Sequence, residues 1–301
     1  MKVLVTGATG LIGSALCDAL LTRGDDVVGL TRDPAKARLA KPGVEWHSWE
    51  PTLERPPAEA FEGVEGVVNL VGEKINQRWT EEAKRRITES RRTATHNLVG
   101  AIAGLERRPL VLVNQSAVGY YGDRGDAILD ESAGPGSSFD AEVVLAWEQA
   151  AREIEADDLR LAITRTGQVL DARGGLLAEL LTPFKLGVGG PIAGGGQYLS
   201  WIHRDDEVDL LLWALDDERV SGAVNATSPN PATNRDFSKA LGRTLGRPAL
   251  MPVPGFVLDL KFGHEFGRVL RGGQRVIPKR AQELGFEFKH PELDEALNDL
   301  L

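Results

Sequence analysis

Three glycines, Gly7, Gly10 and Gly13, follow an apolar run, Val3-Leu4-Val5. They lead into a helical apolar pattern at Leu11, Ile12, Ala15, Leu16, Ala19 and Leu20. Strand, glycine turn and helix in that order can bind the pyrophosphate of a dinucleotide. Gly7 permits the tight turn, Gly10 lets backbone N–H groups approach phosphate, and Gly13 allows the helix to lie close to the strand. The free donors and positive dipole end of the helix then face the anion. Gly7, Thr9, Gly10, Leu11, Ile12 and Gly13 are therefore the candidate phosphate-binding residues. A second strand over Asp26 to Thr31 ends at Thr31-Arg32, with Lys36 a turn further on. NAD sites usually carry an acid there for the ribose hydroxyls. A guanidinium beside a hydroxyl suits a 2′-phosphate, which an acid would repel. Thr31 and Arg32 thus point to NADP(H) as cofactor, against the plainer reading of Arg32 as a solvated loop residue.

Such a site needs a scaffold of alternating strands and helices. Val44 to Trp49 reads as a third strand and Val67 to Leu70 as a fourth. Glu81 to Ile102 reads as a long helix, Leu110 to Asn114 as a fifth strand, Glu142 to Ile154 as a helix and Leu161 to Thr164 as a sixth strand. This alternation predicts an α/β fold with a doubly wound parallel sheet and right-handed crossovers. Past Arg165 the composition shifts: glycines crowd residues 167–196 and prolines recur from Pro229 to Pro254. The expected division is a dinucleotide-binding domain at 1–165 and 204–228, with a smaller substrate lobe at 166–203 and 229–301.

The 301 residues suffice for that division, and 42% hydrophobic with 26% charged residues is ordinary for a soluble globular chain. A net charge of −9 disfavours nucleic acid or an anionic membrane as main partner. Cys17 is the one cysteine, so the chain has no intrachain disulfide and no cysteine metal cluster. Its place on the apolar face of the first helix fits packing. The N-terminal apolar run is too short for a signal peptide, and no stretch approaches the length of a membrane span. The expectation is a cytoplasmic protein acting on a small molecule, with neither nucleic acid nor membrane as partner.

The glycine turn, Ser-Ala-Val-Gly-Tyr-Tyr-Gly at 116–122 and Ser200-Trp201-Ile202-His203 together resemble the extended short-chain dehydrogenase/reductase superfamily. Within it, the chain resembles the atypical "epimerase family" related to nucleoside-diphosphate-sugar epimerases. Arg78-Trp79-Thr80, Ser90-Arg91, Trp147-Glu148, Arg165-Thr166-Gly167 and Gly189-Gly190-Pro191 match as well, so the resemblance spans nearly the whole chain. It implies a Rossmann fold, NADP(H) binding and a cleft for a nucleotide-sugar-like or carbonyl substrate, hence an oxidoreductase or epimerase. It also implies that Leu70, Val71 and Gly72, closing the fourth strand, approach the cofactor, and that Glu50, closing the third, contacts the adenine.

The superfamily's usual catalyst is a serine with Tyr-x-x-x-Lys, the tyrosine exchanging a proton and the lysine lowering its pKa. Ser116, expected just past the fifth strand, matches the serine. The following helix carries neither tyrosine nor lysine. Tyr120, Tyr121 and Tyr198 are followed four residues on by Arg124, Gly125 and Ile202, so none forms the pair. Ser116 and Tyr121 are the candidate catalytic residues; Asp140 and Glu142 stand behind them as carboxylates on the helix start where the tyrosine is missing. Without a catalyst the same chain reads as a silent NADP(H) sensor. Arg78, Trp79, Tyr120 and Arg165 are the candidate substrate-cleft residues, the first two equally readable as a solvated helix face. His203-Arg204-Asp205-Asp206-Glu207 has no metal-ligand spacing; Asp205 or Asp206 reads as an N-cap, and no metal is expected.

Overall fold

The computed structural model describes residues 1–154 and 159–301. Its main sheet is built from β1 (Lys2–Thr6), β2 (Asp26–Thr31), β3 (Glu45–Ser48), β4 (Gly66–Asn69), β5 (Val111–Ala117), β6 (Arg160–Thr166) and β7 (Gly222–Ala226). Their order across the sheet is β7-β6-β5-β4-β1-β2-β3, with every pairing parallel. The order reverses direction beside β1, which opens a crevice at the carboxyl ends of β1 and β4.

Residues along each strand alternate between two cores. Val3, Val5, Val27, Val68, Val113, Ala162 and Val224 face one side, against α1 (Leu11–Arg23) and, further along the chain, α6 (Arg204–Asp216). Leu4, Val28, Leu30, Val67, Leu112, Leu161 and Ile163 face the other, against α3 (Glu81–Ala103) and α4 (Phe139–Arg152). Burial on both faces explains why these strands read as continuous apolar runs. Each such valine, leucine or isoleucine, fully buried, contributes about 1.5–3 kcal/mol. Cys17 is fully buried in the first of these cores, and burial pushes its thiol up to about 12.

The remaining helices are α2 (Pro34–Ala40), α5 (Gly175–Lys185), α7 (Asn234–Thr244), α8 (Gly255–Phe262), α9 (His264–Arg271), α10 (Lys279–Glu283) and α11 (Leu293–Leu300). A third, smaller core joins α5, α7 and α11 through Leu177, Phe184, Phe237, Leu241 and Leu297, with Leu170 and Trp201 beside them. Among the described residues no helix is long and apolar enough to cross a membrane.

Boundaries differ from the sequence reading where side chains override local pattern. β5 runs on to Ala117, so Ser116 lies inside the strand and pairs in register with Arg165. α4 starts three residues earlier than expected, at Phe139 after Ser138, which puts Asp140 in its first turn. The N-cap of α6 is His203 rather than Asp205 or Asp206: its Nδ1 accepts the Asp205 N–H at 3.1 Å.

Candidate functional site

The glycine turn joins β1 to α1 with each glycine required for its own reason. Gly7 has φ +63°, and a Cβ there would stand 2.8 Å from the Leu70 carbonyl oxygen. A Cβ on Gly13 would stand 2.3 Å from the Gly7 carbonyl oxygen, so the helix could not lie so close to the strand. Gly10 is the N-cap of α1, in extended backbone, and offers no side-chain acceptor. Around a Cβ on Gly10, only the Gly7 carbonyl oxygen lies within 4 Å, at 3.1 Å. The first-turn N–H groups of Leu11, Ile12 and Gly13 therefore have no capping side chain. α3 differs: Thr80 caps it by accepting the Ala83 N–H. Thr9 and Gly10 are exposed and Leu11 and Ile12 half-buried, so the turn faces open space.

Thr31 and Arg32 end β2 beside that turn. Arg32 is exposed and, among the described residues, its side chain has no hydrogen bond or ion pair. Asp33 next to it is occupied as the N-cap of α2, accepting the Lys36 N–H at 3.0 Å. Glu50 follows β3 half-buried, after Trp49, whose N–H donates to the Thr31 carbonyl. Leu70 and Val71 lean on the turn from the β4 side, and the Leu70 N–H donates to Thr6 Oγ1 at 3.0 Å. The structure thus brings the candidate cofactor residues of β1, β2 and β4 to one sheet edge.

The catalytic and cleft candidates meet in a different arrangement. Ser116 Oγ donates to Glu148 Oε1 at 2.7 Å. Arg165 grips the same carboxylate from Nε at 2.8 Å and Nη2 at 3.0 Å. Its Nη1 donates to the Tyr121 hydroxyl at 3.0 Å, and that hydroxyl donates to Asn225 Oδ1 at 2.7 Å. The Tyr120 ring covers the guanidinium at 3.5 Å. Ser116, Tyr121, Glu148, Arg165 and Asn225 are all at most 3% exposed. Burial opposes the Arg165 charge, but Glu148 outweighs it and holds the pKa above its ordinary value. Burial pushes the Tyr121 phenol up to about 12. The sequence reading expects these residues to face a ligand; in the structure the protons of Ser116 and Tyr121 are donated inside the core, and Arg165 spends three of its five N–H donors on Glu148 and Tyr121. Glu148 and Asn225 were missed. Glu148 had a signal, since Ala141, Val144 and Ala151 form an apolar stripe with this one acid in it, and such an acid needs a buried cation.

Trp79 is likewise a packing residue. It is 8% exposed, with Phe139 at 4.9 Å and Phe266 at 5.0 Å around its ring, and its Nε1 donates to the Ile75 carbonyl. Arg78 is exposed and donates to the Leu260 carbonyl at the end of α8 at 2.8 Å. Of the two reserve carboxylates, Glu142 is exposed and solvated. Asp140 is 4% exposed, its Oδ1 has no hydrogen-bond partner, and burial raises its pKa. Its Oδ2 lies 3.3 Å from where a Gly119 Cβ would stand, directly past β5.

His203, Asp205, His290 and Asp299 come within 4.8 Å of one another, a closeness no sequence spacing announced. The N-cap bond decides their chemistry. Nδ1 of His203 accepts the Asp205 N–H, so the proton of the neutral ring sits on Nε2, 3.3 Å from Asp299 Oδ2. A protonated nitrogen is no metal ligand. The ring stacks on His290 at 3.9 Å, and burial, then His290, lowers its pKa. The group ties α11 and the His290 segment to the start of α6.

With this geometry in view, the comparisons with known proteins are consistent. Residues 3–226 match the model of the NAD dependent epimerase/dehydratase family, and residues 253–300 match a domain of unknown function, DUF1731. The chain is 39% identical over 303 residues to the "Epimerase family protein SDR39U1 homolog, chloroplastic" of Arabidopsis thaliana, covering 100% of this chain and 87% of that one. It is similar to the crystal structure of human epimerase family protein SDR39U1 (isoform 2) with NADPH, at TM-score 0.91 and 36% identity, covering 100% and 99% of the two chains. In fold alone it is similar to UDP-glucuronic acid 4-epimerase from Bacillus cereus in complex with UDP-glucuronic acid and NAD, at TM-score 0.81 and 19% identity, covering 100% and 98%. The chain belongs to the NAD dependent epimerase/dehydratase family, in the branch of the SDR39U1 epimerase family proteins.

Proposed function

We propose that the chain binds NADP(H) and acts as an oxidoreductase or sugar-nucleotide-type epimerase without the Tyr-x-x-x-Lys pair. The uncapped start of α1 beneath an open Gly10 carries this reading. A pyrophosphate fits there, because it supplies the acceptors that the first-turn N–H groups lack. Arg32, exposed and unpaired among the described residues, fits a 2′-phosphate at the end of β2. Glu50, Leu70, Val71 and Gly72 would flank the same groove. The NADPH of the human relative supports the cofactor class, and the UDP-glucuronic acid of the Bacillus cereus protein supports a nucleotide-sugar-like small molecule. The smaller core formed by α5, α7 and α11 supports a substrate lobe at 166–203 and 229–301. The single buried Cys17 suits a cytoplasmic setting.

When bound, the nicotinamide supplies the hydride chemistry. The chain's part is to hold the ligand and a proton. Asp140 is the group suited to the proton, because burial favours its neutral form and its Oδ1 is unclaimed. Ser116, Tyr121 and Arg165 act in this reading as the fixed wall behind it. A silent NADP(H) sensor is the second reading, favoured by one observation: both hydroxyl protons are spent internally.

Calorimetry with NADPH and NADH tests the cofactor reading. NADPH should bind at least about tenfold more tightly, the scale of one charge-assisted contact. Arg32→Glu should erase that preference; equal affinities in the unmutated chain would overturn it. A screen of carbonyl compounds and sugar nucleotides by NADPH absorbance then separates enzyme from sensor, with Asp140→Asn expected to abolish any turnover found.

A further inference from the structure

Arg235, Lys239, Arg243 and Arg247 recur at one interval in a chain of 44 acidic and 35 basic residues. The first three lie on α7 four residues apart, so they project from one helix face at intervals of about 6 Å. Arg247 follows where the chain doubles back. Gly246 makes that turn with φ +61°, and the Arg247 N–H donates to the Gly242 carbonyl at 2.9 Å. A Cβ on Gly242 would stand 2.8 Å from the Arg247 carbonyl oxygen, so glycine there lets the turn lie against the helix. Between helix and turn runs a groove of about 380 Å³, with Lys239, Arg243, Arg247 and Leu250 on its walls. All four bases are exposed. Arg235 donates to the Gly194 carbonyl, and Arg243 pairs with Asp294 at 2.6 Å. Among the described residues the side chains of Lys239 and Arg247 have no hydrogen bond or ion pair.

The groove continues into apolar surface. Leu250 is 81% exposed, and Met251, Leu186 and Val188 are exposed as well. The Met251 N–H donates to the Gly189 carbonyl, which brings the two apolar pairs side by side. Residues 180–195 and 237–258, which build this face, contain no aspartate or glutamate. An apolar patch beside unpaired bases, in a chain of net charge −9, is complementary to a partner that is apolar and acidic. A second copy docked symmetrically would set base against base. A lipid surface supplies anions at no fixed spacing. A helix with carboxylates four residues apart repeats at the interval of α7, and its adjoining apolar face meets Leu250 and Met251.

We propose that the basic ridge of α7, with Arg247, Leu250 and Met251, is the docking groove for an acidic amphipathic helix of a partner protein. This surface is independent of the cofactor reading. Its exposed residues hold no part of the core, so they can be changed without loss of the fold.

The probe is a synthetic helix with glutamates at i, i+4 and i+8 and leucines on the adjoining face, titrated into the full chain by fluorescence anisotropy. A second peptide carries lysine in place of each glutamate. The glutamate peptide should bind and the lysine peptide should not, and added salt should weaken the complex. Lys239→Glu combined with Arg247→Glu should weaken it about tenfold or more, with the thermal midpoint unmoved. Leu250→Ser should weaken it in both low and high salt. If the double reversal lowers the midpoint, Lys239→Gln with Arg247→Gln removes the charges alone and should still weaken the peptide. Equal binding of the two peptides, binding of neither, or glutamate-peptide binding untouched by the charge variants would overturn the proposal. Binding to vesicles of phosphatidylserine and phosphatidylcholine that is stronger than to the peptide, and lost in the same variants, would overturn it in favour of a lipid surface.

Discussion

The carboxyl ends of β1 and of β5–β6 lie on the same edge of one sheet and treat polar groups in opposite ways. At β1 the backbone donors of α1 and the Arg32 side chain are left without protein partners, in open positions. At β5–β6 a serine, a glutamate, an arginine and a tyrosine satisfy one another out of water. Unclaimed donors cost little where water reaches them, whereas buried charges must be paired. The open end can take an anion without losing a protein contact. The closed end cannot release a proton or a guanidinium without breaking the core.

Breaking the closed end should give the largest effect. Glu148→Ala leaves Arg165 buried and uncompensated, and removing one partner of a buried pair costs about 3–5 kcal/mol. The urea midpoint should fall accordingly. Glu148→Gln, which keeps an acceptor for Arg165, should cost clearly less. A stability near that of the unmutated chain in Glu148→Ala would mean that the network is open to water.

The open end should respond in the reverse sense. Gly10→Val has room in the fold, since the backbone there is extended and only the Gly7 oxygen comes near a Cβ. Its branched side chain would occupy the pyrophosphate's approach. Dinucleotide binding should fall about a hundredfold, near 2.7 kcal/mol, with little change in thermal midpoint. Gly13→Val, by contrast, should unfold the turn, since its Cβ meets the Gly7 oxygen at 2.3 Å. Normal binding by a folded Gly10→Val variant would place the pyrophosphate elsewhere.

The same contrast explains what the sequence could reveal. The open end is local: glycines, strand and helix are contiguous, so their pattern carries their geometry. The sheet was legible for the same reason, through runs such as Val3-Leu4-Val5 and Leu161 to Thr164. The closed end is assembled from residues as far apart as Ser116 and Asn225. Types alone presented Ser116 and Tyr121 as chemistry, and their bonds to Glu148 and Asn225 emerge only in the folded chain. The closeness of His203 and His290 is legible only in three dimensions.

A smaller effect tests the other face of β6. Thr166 Oγ1 donates to Glu207 Oε1 at 2.9 Å, while Glu207 Oε2 is buried without a partner. Burial pushes this carboxyl up to about 8 from 4.5, with the Thr166 bond offsetting it in part. The folded state therefore binds the proton more tightly than the unfolded chain. The stability this gives is complete below the unfolded pKa and is lost as pH rises through about 8. Glu207→Gln removes the titration. Between about pH 6 and 9 the unmutated chain should lose stability against the variant, by at most about 1.4 kcal/mol per unit. Parallel denaturation midpoints across that range would show Glu207 to be solvated.

Ser116→Ala should have the smallest effect, and it bears most directly on the comparison. Glu148 Oε1 keeps the Arg165 Nε bond when the serine hydroxyl is removed, so no charge is orphaned. The loss should be about 1.5 kcal/mol, the low end for one hydrogen bond with a charged acceptor. NADPH affinity should not move, because the hydroxyl points into the network and not into the groove. If a substrate is found by the absorbance screen, turnover should fall by no more than the slight loosening of the wall permits, while Asp140→Asn abolishes it. A Ser116→Ala variant of unchanged stability with turnover lowered a thousandfold would reverse the assignment. Such a result would mean that the Ser116–Glu148 bond opens when ligand enters, and that the closed end is a catalytic site held shut in the free protein.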